Sequence, residues 1–143
     1  METNNEPKLV VNRWRTPDGT ILQSKHQHDY QSHKDKNGDT YFVDGGIEYI
    51  RMSGNDEPMV DLCLYHPKDD FGEIRKYFMR GTYGKDGNEP FHWIPLCEMT
   101  DGHVKACITY NNDRGFGDSV ANKLYALELE YRKVHKINIE DKK

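Results

Sequence analysis

A chain of 143 residues is the size of one domain, long enough to bury a single core without disulfides. Lysine and arginine number 20 against 24 aspartate and glutamate, and the net charge of -4 offers no global cationic field for nucleic acid. Nine tyrosines within an 11% aromatic content argue against disorder despite a mean hydropathy of -0.96, and point to a thin core with a contact-forming surface.

Cys63, Cys97 and Cys107 are far apart, with no Cys-x-x-Cys spacing, so zinc-ribbon and thioredoxin readings fail and buried thiols in a reducing cytoplasm are expected. Met1 to Pro7 carries no basic region followed by an apolar core, and no apolar run approaches the ~20 residues that span a bilayer. A cytoplasmic protein with no membrane partner is the expectation.

Residues 1–7 read as a flexible tail. Lys8 to Arg15 predicts a strand, Pro17-Asp18-Gly19 a turn, and Ile21 to Ser24 a strand paired back on the first. Asn37-Gly38, taken as a two-residue turn, places Lys34 opposite Tyr41, His33 opposite Phe42 and Gln31 opposite Asp44. One face then collects Asp29, Gln31, His33, Asp35, Thr40, Phe42 and Asp44, with His33 diagonal to Asp44; Tyr30, Ser32, Lys34, Tyr41 and Val43 take the other. Strands over Ile47 to Met52 and Val60 to Tyr65 complete a meander of about five.

After Pro67 the pattern turns helical. Asp69 or Asp70 caps a helix with Phe71, Ile74, Tyr77 and Phe78 at helical spacing, ended by Gly81, with Arg75, Lys76 and Arg80 near its C-terminus. Phe91 to Cys97 is a short extended run, held to an edge by Pro95. Thr100 caps a second helix with Met99 and Val104 as a hydrophobic staple and Val104, Cys107 and Ile108 buried. Asn111 to Gly117 reads as a loop. The last helix starts at Asp118 or Ser119 and carries Val120, Leu124, Leu127, Tyr131 and Val134 on one stripe. The sum is an α+β domain over 8–135, an antiparallel sheet packed by two or three helices, with a charged tail over 136–143. The last helix, through Leu124, Leu127 and Tyr131, is the expected lid on the sheet.

His26, His28, His33 and Asp44 could ligate a divalent metal and support hydrolysis. His26 and His28 have the opposite parity from His33, no His-Glu-x-x-His accompanies them, and polar hairpin residues bonded to one another are the simpler account. Gly81 to Gly87 lacks the Gly-Lys-Ser/Thr ending of a phosphate loop, and Gly115-Phe116-Gly117 precedes a helix as many loops do. Ser24, Ser32 and Cys97 sit in no nucleophile motif. Trp14, Tyr30, Tyr41, Tyr49, Tyr83, Phe91 and Trp93 could stack a base beside Arg13, Arg15 or Arg80, though such aromatics also make core and hairpin pairs. A cationic patch of Arg75, Lys76, Arg80 and Lys85 is the nucleic-acid alternative, against the acidic balance of the chain.

Thr16 to Leu22, His28-Asp29-Tyr30, His33, Tyr41, Asp44-Gly45-Gly46 and Tyr49 resemble a group of small uncharacterised accessory proteins encoded by tailed bacteriophages. Gly81 to Gly87, Met99-Thr100-Asp101 with His103, and Glu128 to Arg132 are similar to the same group, so the resemblance spans about Arg13 to Arg132. It carries no activity and no functional residue. It implies a non-virion protein of the host cytoplasm that inhibits a host factor or blunts defence by binding. The expected surface is Asp29, Tyr30, His33, Tyr41 and Asp44, without cofactor or catalysis, its partner a host protein or a small nucleotide-like ligand. A homo-oligomer through an exposed sheet edge is compatible with the pattern.

Overall fold

The computed structural model describes residues 6–84 and 86–140; most of the expected N-terminal tail, the end of the charged tail and Lys85 lie outside these. The fold class is α+β: most strands of the antiparallel sheets come from the first half, and helices mostly from the second. The chain divides into two compact units, residues 1–74 and 75–143. No helix among the described residues is long and apolar enough to cross a membrane.

In the first unit, β1 (Lys8–Arg15) is central. It pairs antiparallel with β2 (Ile21–Ser24), and also with β6 (Val60–Asp61) and β7 (Leu64–His66). The turn from β1 to β2 is the expected one, with Gly19 at φ +92° and its amide donating to the Thr16 carbonyl at 2.9 Å. A second sheet holds β3 (Gln31–Lys34), β4 (Thr40–Asp44) and β5 (Arg51–Met52). The single strand expected over 60–65 is broken, because Asp61 Oδ1 accepts from the Cys63 amide at 2.8 Å and turns the chain locally. Likewise most of Ile47 to Met52 is lost to a turn in which the Gly45 carbonyl accepts from Glu48 and Tyr49.

The β3–β4 hairpin closes with three residues, not two. Asp35 and Asp39 bond to each other across the loop, its amide donating to the Asp39 carbonyl at 2.9 Å. The Asp35 carboxylate accepts from the amides of Asn37 and Asp39, each at 2.9 Å, and Gly38 takes the left-handed position at φ +86°. Pairing is therefore Lys34 with Thr40, His33 with Tyr41, Ser32 with Phe42 and Gln31 with Val43, one residue from the expected register. A slip of one residue exchanges faces. His33 and Asp44, expected on a common face, lie on opposite ones.

Trp14, Leu22, Tyr41, Val43 and Met59 form the core of this unit, with Met52 and Cys63 packed against it. Two buried polar side chains bind the turns to it. Asn12 donates to the carbonyls of Asp44 (3.3 Å) and Tyr49 (3.4 Å) and accepts from Trp14 Nε1 (2.9 Å). Ser24 donates to the Asp29 carbonyl at 2.6 Å and accepts from the Gly46 amide at 2.8 Å. A side chain on Gly46, at φ +54°, would meet the His26 backbone at 2.3 Å.

The boundary of the two units falls within α1 (Phe71–Tyr77). The second unit holds a hairpin of β8 (Met79–Thr82) and β9 (His92–Pro95), then α2 (Asp101–Asp113) and α3 (Val120–His135). The helix expected to reach Gly81 stops at Tyr77, and Gly81 lies in β8. Glycine serves there to receive a ring: a Cβ would meet Phe91 at 2.5 Å. Thr100 and Ser119 cap α2 and α3 as expected, accepting from the His103 and Asn122 amides at 3.1 and 3.2 Å. Helix α2 runs on into the expected loop, as far as Asp113.

The buried stripe of α3 is only in part the apolar one read from spacing. Leu124, Tyr125, Glu128 and Arg132 are buried, whereas Leu127 and Val134 are exposed. Glu128 turns that face inward. Its carboxylate accepts from Arg75 Nε and Nη2 at 2.8 and 2.7 Å and from Arg132 Nε at 2.6 Å, and Arg132 reaches Asp101 at 2.7 Å. Removing one member of such a buried group leaves charge unpaired. Glu128→Ala is expected to cost about 3–5 kcal/mol in urea denaturation, and Val134→Ala under about 0.5 kcal/mol; equal losses would refute this helix orientation. Gly46→Ala is expected to disrupt the first unit, and Gly19→Ala, where a Cβ meets nothing within 4 Å, to lower the midpoint only modestly.

Candidate functional site

The five expected binding residues do not form one surface. Asp29 organises a turn: its carboxylate accepts from the Lys25 amide at 2.8 Å and from Gln31 Nε2 at 2.6 Å. Tyr41 is buried in the core, where burial raises its phenol above the usual range, and it presents nothing to a partner. His33 turns toward the β1–β2 loop, its Nε2 lying 2.7 Å from Asp18 Oδ2 and 3.2 Å from Thr20 Oγ1. Tyr30 is 51% exposed. Asp44 is buried, and its Oδ2 accepts from Arg51 Nε and Nη2 at 3.2 and 3.0 Å, while Oδ1 has no hydrogen-bond partner among the described residues.

The alternative metal set of His26, His28, His33 and Asp44 does not assemble. His26 Nδ1 lies 2.8 Å from the Gln27 carbonyl, His28 Nδ1 lies 3.3 Å from the Tyr49 hydroxyl, and Asp44 faces away from His33. Among the described residues no group of three or more His, Cys, Asp or Glu is placed to hold a metal ion. Thr20, His33 and Asp18 make no relay either, because both partners meet the same ring nitrogen, whereas a base passing a proton needs one at each. Burial pushes the Cys63 thiol up to about 12 and raises Cys97 and Cys107, so these sulfurs stay protonated and poorly nucleophilic at neutral pH. Of the expected cationic patch, Arg75 is paired with Glu128 and Arg80 lies in β8, while Lys85 is outside the described residues.

The outer face of the β3–β4–β5 sheet gathers a different set. The Tyr30 ring stacks on Phe42 with centroids 5.1 Å apart and planes 22° from parallel. The Arg51 guanidinium carbon lies 5.1 Å from the same Phe42 centroid. Asp44 and Arg51 are cross-strand partners, so the carboxylate that holds the guanidinium belongs to this face. Arg51 keeps 59% of its side chain exposed. Phe42 and Arg51 were missed because the two-residue turn hid Phe42 beside His33; the signal for them is the Asp35 side chain ahead of Asn37-Gly38. Stacking and charge-assisted donation are what this face offers.

No family model, curated protein or solved structure matches this chain.

Asp18 supplies a pH test of the hairpin contact. Hydrogen bonds from Thr16, then His33 and Thr20, hold its carboxyl well below the ordinary value of 3.8. A depressed carboxylate stabilises the fold above its unfolded value, and that stabilisation is lost as pH falls through the folded value. The stability difference between the wild type and Asp18→Asn is expected to persist from neutral pH down to about 5 and to shrink only below about 4. Chemical denaturation at stepped pH reads it; a difference that fades between pH 8 and 5 instead contradicts this assignment.

Proposed function

We propose that the protein is a phage-encoded accessory binding protein that occupies a host protein through the outer face of β3–β4–β5. Its setting is the host cytoplasm and its effect is inhibition of a host factor. The observation that carries the reading is the stack of Tyr30 and Arg51 on Phe42, with Asp44 beneath the guanidinium. Tyrosine and arginine are the residues on which protein interfaces concentrate their binding energy, and a half-exposed pair fixed on a sheet fits that use. The phage-like pattern from Thr16 to Tyr49 runs through the same strands and supports the source.

Photocrosslinking tests it. With p-benzoylphenylalanine in place of Tyr30, host lysate is expected to give one dominant protein adduct, suppressed by Arg51→Ala and absent when the probe replaces Lys36 in the hairpin loop. Against the protein so identified, Tyr30→Ala is expected to weaken affinity about tenfold or more. Adducts that are equal at positions 30 and 36, or insensitive to Arg51→Ala, would falsify the assignment of this face.

A further inference from the structure

Part of the apolar stripe on α3 faces solvent. Val120, Leu127 and Val134 recur at intervals of seven, and seven residues make two helical turns less about 20°, so the three lie along one line of the helix. Val120 is half-buried and Leu127 is 37% exposed. Val134, at 65%, is the most exposed large apolar side chain among the described residues. Tyr125, Glu128 and Arg132 take the buried side, and the helix cannot turn this line inward without unpairing the Glu128 carboxylate.

Charge flanks the line on one side. Lys123 and Glu130 come three residues after Val120 and Leu127, so they share a flank, and both are exposed. Among the described residues neither forms an ion pair within the chain. The cation precedes Leu127 by four residues and the anion follows it by three. A two-fold axis through Leu127, perpendicular to the helix, reverses a second copy and keeps the same flanks together. Glu130 of the second copy then stands beside Lys123, offset along the helix by one residue's rise of about 1.5 Å, and the converse pair forms at the other end. The same axis sets Val134 of the second copy on Val120, and Leu127 on its own counterpart. A parallel pair has no such match, because its two-fold runs along the helices and turns the charged flank toward the Tyr131 flank.

We propose that α3 pairs antiparallel with α3 of a second copy of this chain, through Val120, Leu127 and Val134 and two reciprocal Lys123–Glu130 contacts. Opposite charges placed about the centre of an apolar line are what an isologous contact requires, whereas a foreign partner has no need of that order. A helix of 16 residues is about 24 Å long, and three apolar layers with two ion pairs make a small interface of the reversible kind. The contact is independent of the Tyr30 surface.

Sedimentation equilibrium on the full chain reads it directly. A reversible monomer–dimer equilibrium is expected, with Kd of about 10–100 µM. Val134→Lys puts a cation on an exposed site near the helix C-terminus, so the variant is expected to keep the wild-type melting temperature while the dimer weakens about tenfold or more. Lys123→Glu and Glu130→Lys are each expected to weaken it about fivefold. The two together are expected to restore it, because the exchanged charges meet again across the same axis. Overturning results are a monomer up to about 1 mM, whether or not a host protein binds the stripe instead, a dimer unchanged by Val134→Lys, a double exchange that fails to restore it, or a dimer abolished by Tyr30→Ala.

Discussion

The carboxylate of Asp35 accepts two backbone amides, those of Asn37 and Asp39, and so holds three residues rather than two at the tip of the β3–β4 hairpin. Strand side chains alternate with a period of two, and the number of residues in the tip therefore decides which of them meet water. With three, Tyr41 and Val43 enter the core while Phe42 and Asp44 turn outward to meet Tyr30 and Arg51. Every feature of the outer face follows from that pairing. With two residues in the tip, His33 would stand opposite Phe42 in place of Tyr41.

Much of the polar composition is spent on bonds of this kind. Asp18, Asp29, Asp61 and Asp69 each take a backbone amide two or four residues away, closing turns that a thin apolar core could not fix by itself. Asn12 and Ser24 do the equivalent inside the first unit, and Glu128 does it for guanidinium groups inside the second. Buried polar groups gain from low dielectric when every partner is present. A chain of low mean hydropathy can thus fold without a large apolar interior. The histidines and carboxylates that suggest chemistry in the sequence are mostly occupied in this structural role, as with His33 on Asp18.

Local signals in the sequence were good guides where they act within a few residues. Strands β1 and β2, the caps at Thr100 and Ser119 and the turn at Gly19 all follow from patterns that a short window contains. What could not be read depends on partners far along the chain. Gly81 resembles a helix stop until Phe91 arrives on the opposite strand and needs the space of its missing side chain. The α3 stripe is shifted for the same reason: Leu124 is buried as its spacing implies, but Leu127 and Val134 are exposed, and Arg75, 53 residues before Glu128, pairs with a carboxylate on the buried face. Asp35 is the intermediate case, since its side chain caps an amide only two residues away but the outcome is felt along the whole strand.

The outer face also differs from an ordinary exposed sheet surface in how little freedom its charged group retains. A lysine or arginine free in solvent loses up to about 2 kcal/mol of rotamer entropy when a partner immobilises it. Arg51 has already lost much of that freedom, because Asp44 holds Nε and Nη2 and the guanidinium carbon sits over the Phe42 ring, 5.1 Å from its centroid. Tyr30 is fixed in the same way by its stack on Phe42. Contacts made by groups that are ordered beforehand lose less to immobilisation, which is what would let a patch this small serve the binding role proposed for it. Asp44 is the source of that order. Its carboxylate is shielded from water, its Oδ1 unpartnered, and the cost of keeping it buried is offset only while Arg51 stays in place, which ties the guanidinium to the sheet whether or not a partner is present.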